Sequence, residues 1–428
     1  MTEPGGLPSS LRPKVADEVG HVVNAFLNHP DGSKRITVVP AEDRIDHMYA
    51  EGEILVREEH LDRVLEVIAH PGRAELESAD PPRIRRVIAG HVLVTLGDPH
   101  PVAAEALDLI DAALGRGIAT PNHVLTVCSD GGVIICPATE PEPAYYEMEP
   151  HPSGSHEGGH GVRVYVADTG LLRDAADGHA WLDGVEVQDE TRDYDPPQPL
   201  QGDPPAIPPY TGHGTFVAGV LRTMAPATDV VVANVFSVAG SALESDFVAR
   251  LESAFRLGVD IFQLDVACAS RNDIPLLAFG DWLKRVRNSK GAICLAPAGN
   301  SARRRPAWPA AFPEVIAVGA LGGDWRDRAS FSNFGPWVDV YAPGRDIVNA
   351  YATGDYTCHV SPYTGQVRSF CGMAKWSGTS FSTPIVSGLI AARMSRTGEN
   401  ARQAAEALLA EARARAIPGV GPVLLPDR

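Results

Sequence analysis

Beyond residue 160 the sequence alternates short apolar runs with helix-period segments, and few architectures accept that pattern. Residues 164–167, 230–235, 260–266, 292–296 and 315–319 read as strands of the buried type. Between and after them, residues 216–221, 247–257, 276–286 and 401–414 carry apolar positions at helical spacing. Apolar strands separated by amphipathic helices predict an α/β fold with a mostly parallel sheet and helices on both faces. In such sheets functional side chains gather at the carboxyl ends of the strands. Two polar residues fall there: Asp168, closing Val164-Tyr165-Val166-Ala167, and Asn300, closing Ala296-Pro297-Ala298-Gly299.

Two further polar residues stand at helix starts. His213 lies in Gly212-His213-Gly214-Thr215, ahead of the apolar run 216–221. Ser380 lies in Trp376-Ser377-Gly378-Thr379-Ser380-Phe381-Ser382-Thr383-Pro384, ahead of the apolar run 385–392. Pro384 is expected in the first turn, where its missing N–H costs nothing. A helix start offers free N–H groups and a partial positive charge to an oxygen that becomes negative beside it. Each residue alone has a plainer reading. Ser380 could be a helix cap, His213 a cap or core histidine, Asn300 a turn residue. Asp168-Thr169-Gly170 also matches the aspartic-peptidase signature, but that chemistry needs a second such carboxylate and no second Asp-Thr-Gly or Asp-Ser-Gly occurs.

The order Asp168, His213, Asn300, Ser380, each at a strand end or helix start, resembles the subtilisin-like serine peptidases over residues 161–420. The resemblance implies a subtilisin-like fold and a serine endopeptidase acting on protein or peptide substrates through an acyl-enzyme. A serine hydroxyl is a weak nucleophile and needs a base, which in turn needs an orienting group. By the resemblance Ser380 is the nucleophile, His213 the general base and Asp168 its orienting partner. The oxyanion hole falls to the Asn300 side-chain amide and the Ser380 N–H. Asp265, Val266, Ala267, Ala298 and Gly299 line the substrate cleft. No cofactor is required for this chemistry.

The chain departs from the family at one cleft wall. In residues 261–267 Asp265 stands where relatives carry serine, and Ala267 where they carry glycine. The added methyl narrows a cleft where substrate backbone packs closely. The carboxylate either selects a basic or neutral-polar substrate side chain or is buried with a raised pKa. This departure keeps a catalytically silent binding protein on the same fold as the competing reading. A transpeptidase would share the acyl-enzyme and exclude water. Arg303-Arg304-Arg305 reads as solvated surface or as a contact to an acidic substrate or to the acidic insertion described below.

Upstream, residues 1–50 form a poorly defined extension, with a short apolar element at 22–27 and a strand at 36–39. Residues 51–136 predict β-α-β-β-α-β, the ferredoxin-like order. The elements are a strand at 53–56, a helix at 60–68, strands at 84–88 and 91–96, a helix over 103–114 and a strand at 124–127. A small α+β domain ahead of a subtilisin-like domain resembles that family's inhibitory propeptides, which implies an intramolecular inhibitor whose tail lies in the active site. The alternative is a permanent accessory domain. Residues 137–160 form a Pro/Gly-rich linker, the natural place for a self-inflicted cut. Its His151, His156 and His160 read as solvated rather than metal-binding. Residues 161–428 form the main domain. Within it, residues 171–205 carry nine acids: Asp174, Asp177, Asp183, Glu186, Asp189, Glu190, Asp193, Asp195 and Asp203. A surface loop, a structural calcium site or an acidic rim for basic substrates each fits them.

Bulk properties narrow the classes further. Hydrophobic residues make up 44% of 428, enough for large cores. A net charge of −17 argues against a nucleic-acid partner. No run approaches a membrane span, and no signal peptide is visible, so a cytoplasmic location is expected. Six cysteines do not make a disulfide scaffold, although Cys358 and Cys371 flank a loop and could bridge.

Overall fold

The structure is a computed structural model describing residues 13–29, 32–41, 44–69, 81–97, 103–127, 138–145, 155–173, 175–188, 204–236, 239–289, 291–360 and 362–426. In chain order its N-terminal part contains α1 (Pro13–Leu27), β1 (Ile36–Ala41), β2 (Arg44–Arg57), α2 (Leu61–Ile68), β3 (Arg83–Ile88), β4 (His91–Thr95), α3 (Ala103–Leu114) and β5 (Ala119–Thr126). A short strand, β6 (Glu142–Pro143), follows. The larger body contains β7 (Arg163–Asp168), β8 (Glu186–Val187), β9 (Ala206–Ile207), α4 (His213–Met224), β10 (Asp229–Asn234), β11 (Ser241–Leu243), α5 (Glu244–Ala254), β12 (Ile261–Leu264) and α6 (Leu277–Arg287). It closes with β13 (Ile293–Pro297), β14 (Val315–Leu321), β15 (Val340–Pro343), β16 (Ile347–Thr357), β17 (Val367–Trp376), α7 (Thr379–Thr397) and α8 (Ala401–Ala414).

The body is built on a seven-stranded sheet, β15-β14-β13-β12-β7-β10-β8, with every pairing parallel. Because side chains alternate along a strand, the two faces feed two cores. Val164, Val166, Val230, Val232 and Leu295 pack with α4, α7 and α8. Tyr165, Ala167, Val231, Phe262 and Cys294 pack with α5 and α6, where Trp282 is wholly buried. This two-faced burial is why the strands read as continuous apolar runs.

The N-terminal part realises the expected β-α-β-β-α-β order, as an antiparallel sheet β5-β2-β4-β3. Its boundaries differ from the expectation. β2 begins at Arg44, so residue 50 falls inside a strand rather than between domains. The apolar element at 22–27 is the end of α1, whose Val19, Val22, Val23 and Phe26 pack on Ile45 and Met48. The sheet continues into the body: β11 pairs antiparallel with β5, matching Ser241 to Thr126 and Leu243 to Val124.

Charged pairs tie the two parts together. Arg57 donates to Asp281 at 2.6 Å, and Arg271 donates to Asp111 at 2.8 Å and also binds Asp108. Arg305 binds Asp46 of the N-terminal part as well as Asp273. One member of the arginine run is thus an inter-domain tie rather than a substrate contact.

The bridge between Cys358 and Cys371 is not formed; both are free thiols. Across the β16–β17 ladder Cys371 faces Thr353, whereas Cys358 lies beyond the Thr357–Val367 pair. At about 3.4 Å per residue that offset exceeds the Cα separation a disulfide spans. Among the described residues no helix is long and apolar enough to cross a membrane, and no group of three or more His, Cys, Asp or Glu is placed to hold a metal. His151 and six acids of the insertion (Asp174, Asp189, Glu190, Asp193, Asp195 and Asp203) lie outside the described residues.

Candidate active site

Asp168, the last residue of β7, is fully buried. Its carboxylate accepts the Thr169 N–H at 2.6 Å and faces His213 Nδ1 at 2.8 Å (Oδ1) and 2.9 Å (Oδ2). A carboxylate against Nδ1 fixes the proton there and leaves Nε2 as the basic atom. His213 is the first residue of α4, and its glycine neighbours are required by space. A Cβ on Gly212, which has φ +84°, would lie 2.8 Å from the Tyr351 ring. On Gly214 it would lie 2.2 Å from the Gly170 carbonyl oxygen. We expect Gly214→Ala to cost about 3 kcal/mol, since backbone must move to admit the methyl. Thermal denaturation beside wild type measures it.

The His213 ring is walled by aromatics. Trp376 meets it edge-on at 5.6 Å, and Phe381 lies 5.4 Å away. Ser380, the second residue of α7, is also fully buried. Among the described residues neither Ser380 Oγ nor His213 Nε2 has a hydrogen-bond partner, so the hydroxyl–imidazole bond is not made in this structure. Such bonds often tighten only around substrate. Pro384 sits in the second turn of α7, not the first. It therefore removes the helical bond that the Ser380 carbonyl would have accepted.

Asn300 sits beyond β13, after Gly299 with its φ of +97°. Its Oδ1 accepts the Thr379 N–H at 2.9 Å and the Thr379 hydroxyl at 3.0 Å. Two donors on Oδ1 fix the rotation of the amide, so Nδ2 is the end turned away from Thr379. Ala298 is buried, and the Gly299 N–H donates to the Thr379 hydroxyl at 3.2 Å. These bonds tie the β13 terminus to the start of α7.

The Asp265 side chain turns inward, toward Gln263. The residue is fully buried, its N–H donates to the Ala167 carbonyl at 3.0 Å, and its Oδ2 accepts from Gln263 Nε2 at 2.8 Å. Oδ1 has no partner. Burial, then the nearby Asp168 charge, push its carboxyl well above the usual carboxylate range. A second carboxyl thus lies near Asp168, but Asp168 is committed to His213. Because folding raises this pKa, the group's contribution to stability is full below its unfolded pKa near 4 and is lost as pH rises through the folded value. Asp265→Asn, which keeps an acceptor for Gln263, should therefore raise the melting temperature more at pH 8 than at pH 4. Paired melts at the two pH values check this.

Val266 and Ala267 are likewise buried, and Ala267 is covered by the N-terminal part. Thr126 donates its N–H to the Ala267 carbonyl at 3.1 Å and accepts the Ala267 N–H at 3.0 Å. The Val127 N–H donates to the Gly240 carbonyl at 2.9 Å. The end of β5 is therefore a middle strand, with β11 on one side and Ala267 on the other. Sequence reasoning found a strand at 124–127 but not this pairing. It also did not single out Trp376 or Thr379, which hold His213 and Asn300.

The matching family is Peptidase_S8, the Subtilase family, over residues 159–420. A thermophilic serine proteinase of Bacillus sp. (strain AK1) is 29% identical over 313 residues, covering 67% of this chain and 68% of the relative. An intracellular serine protease of Paenibacillus polymyxa is 30% identical over 246 residues, covering 54% and 66%. The chain thus spans about two thirds of the length of these relatives. The crystal structure of fervidolysin from Fervidobacterium pennivorans, a keratinolytic enzyme related to subtilisin, shares the fold. It superposes with a TM-score of 0.56 at 17% identity, covering 91% of this chain and 61% of that one. With more than half its length matched by the family and a parallel α/β fold of the same kind, this chain belongs to the subtilase family of serine peptidases.

Proposed function

We propose that the chain is a serine endopeptidase working through Asp168, His213 and Ser380, and that its N-terminal part restrains it by occupying the substrate cleft. The Asp168–His213 pair at 2.8 Å carries the first half of this reading. It prepares Nε2 to accept a proton, and Ser380 stands at a helix start where a developing negative charge is favoured. Ser380 Oγ attacks the peptide carbonyl, and His213 takes the proton and returns it to the leaving amine. Water then releases the acyl group by the same route. The oxyanion is met by Asn300 Nδ2 and by the Ser380 N–H at the start of α7. Asn300→Leu should lower kcat by roughly a hundred- to a thousandfold with little change in KM. Steady-state kinetics on a chromogenic peptide test this. Product mass separates the reactions: a hydrolase adds one water per bond, a transpeptidase none.

The second half rests on the reciprocal Thr126–Ala267 pairing. Ala267 is one of the residues that the family resemblance assigns to substrate, and β5 supplies to it the backbone bonds of an added strand. A permanent accessory domain would not need to fill that slot. Intact mass of wild type beside Ser380→Ala, before and after incubation, tests self-processing. Loss of an N-terminal fragment from wild type alone is the expected result. Equal masses, with wild type still hydrolysing peptides, would leave the N-terminal part as a fixed regulator.

A further inference from the structure

A second strand slot lies on the hairpin that leads into Ser380. We propose that the β17 edge and the turn at residues 358–360 form a recognition site for an extended acidic peptide segment of the substrate, and that residues 139–144 are its tethered occupant here. The proposal rests on the cleft reading above and specifies the substrate class.

Five backbone and side-chain contacts define the slot. β6 pairs antiparallel with β17, matching Pro143 to Ala374 and Glu142 to Lys375, and the Ala144 N–H donates to the Met373 carbonyl at 3.3 Å. Trp376 Nε1 donates to the Thr139 carbonyl at 2.6 Å, and an Arg368 guanidinium N–H donates to the Pro141 carbonyl at 2.7 Å. These bonds read backbone and would accept any extended segment. Selectivity comes from two carboxylate positions. Glu140 is buried, and its Oε1 accepts the N–H groups of His359 and Val360 and lies 3.4 Å from the Tyr356 hydroxyl. Successive backbone N–H groups around one oxygen make an anion-binding concavity. Its second oxygen is buried, and the Cys358 thiol lies beside the same carboxylate. Glu142, exposed, pairs with Lys375 at 2.8 Å.

The occupant is pre-shaped for the slot. In Glu140-Pro141-Glu142-Pro143 each glutamate precedes a proline, which holds it extended. The slot presents two cations, Arg368 and Lys375, in a chain of net charge −17. Trp376, which binds the occupant's carbonyl, also walls His213. A segment seated here therefore holds a side chain that also packs on His213.

The test measures binding, not catalysis, so it stands apart from the peptidase reading. The Ser380→Ala chain with Glu140→Ala and Glu142→Ala, which weaken the tethered occupant, is titrated with a fluorescein-labelled peptide of residues 138–145 and followed by anisotropy. We expect saturable binding, at least tenfold weaker when the peptide carries alanine at the Glu140 position. It should also be at least tenfold weaker to the Ser380→Ala chain that keeps its own glutamates. No saturable binding, or binding indifferent to the glutamate, overturns the proposal and leaves residues 139–144 a structural tie. Amide exchange at His359 and Val360 in the Ser380→Ala chain guards against a misfolded variant. Opening independent of global unfolding, and slowed by added peptide, is expected. Protection equal to that of the sheet β7–β12–β13 contradicts it.

Discussion

Ser380→Ala is expected to lower kcat by about a millionfold, with KM nearly unchanged. In the proposed reaction this hydroxyl forms the acyl bond; it has no hydrogen-bond partner among the described residues, whereas the neighbouring Thr379 hydroxyl is committed to Asn300. The residual rate should not vanish, because the oxyanion donors and substrate binding still act on an attacking water. The substitution removes one oxygen that has no hydrogen-bond partner, so the fold should keep its stability. Loss of activity with an unchanged melting temperature separates a chemical role from a structural one. A drop of tenfold or less would place the chemistry elsewhere.

Asp168→Asn is expected to cost about ten-thousandfold in kcat. The carboxylate accepts from His213 Nδ1 through both oxygens and from the Thr169 N–H. An amide keeps the shape but turns a donor toward one of these donors. The imidazole then shifts its proton to Nε2 and can no longer accept from Ser380. The loss should shrink as pH rises, where deprotonation of the serine needs less help. A pH series of kcat/KM for both proteins measures it, and a loss independent of pH would point to misfolding.

Much of the site was legible because its signals are local. Asp168 and Asn300 follow apolar strand runs, and His213 and Ser380 open helices; glycines beside His213 are demanded by contacts such as Gly214 against Gly170. The β-α-β-β-α-β order was legible for the same reason. What was not legible depends on distant partners. Asp265 occupies a position expected at the cleft wall, yet it is buried beside Asp168 through bonds to Gln263 and Ala167. The Thr126–Ala267 pairing joins residues 141 apart in sequence, and nothing in Val124-Leu125-Thr126-Val127 announces it. The prolines from 137 onward mark a linker, but Pro143 lies in β6, paired on β17. Composition marked where the chain leaves regular structure, not where it finds a partner strand.

The measurement that tests the account most directly is the rate of fluorophosphonate labelling at Ser380, mapped by peptide mass, in wild type, Ser380→Ala and Thr126→Pro. Proline at 126 removes the N–H that binds Ala267 and loosens the strand that fills the cleft. The account predicts slow labelling of wild type at Ser380, labelling at least tenfold faster in Thr126→Pro, and none in Ser380→Ala. Absence of Ser380 labelling in both proteins that retain the serine would contradict an active triad. Equal rates in those two would contradict restraint by the N-terminal strand.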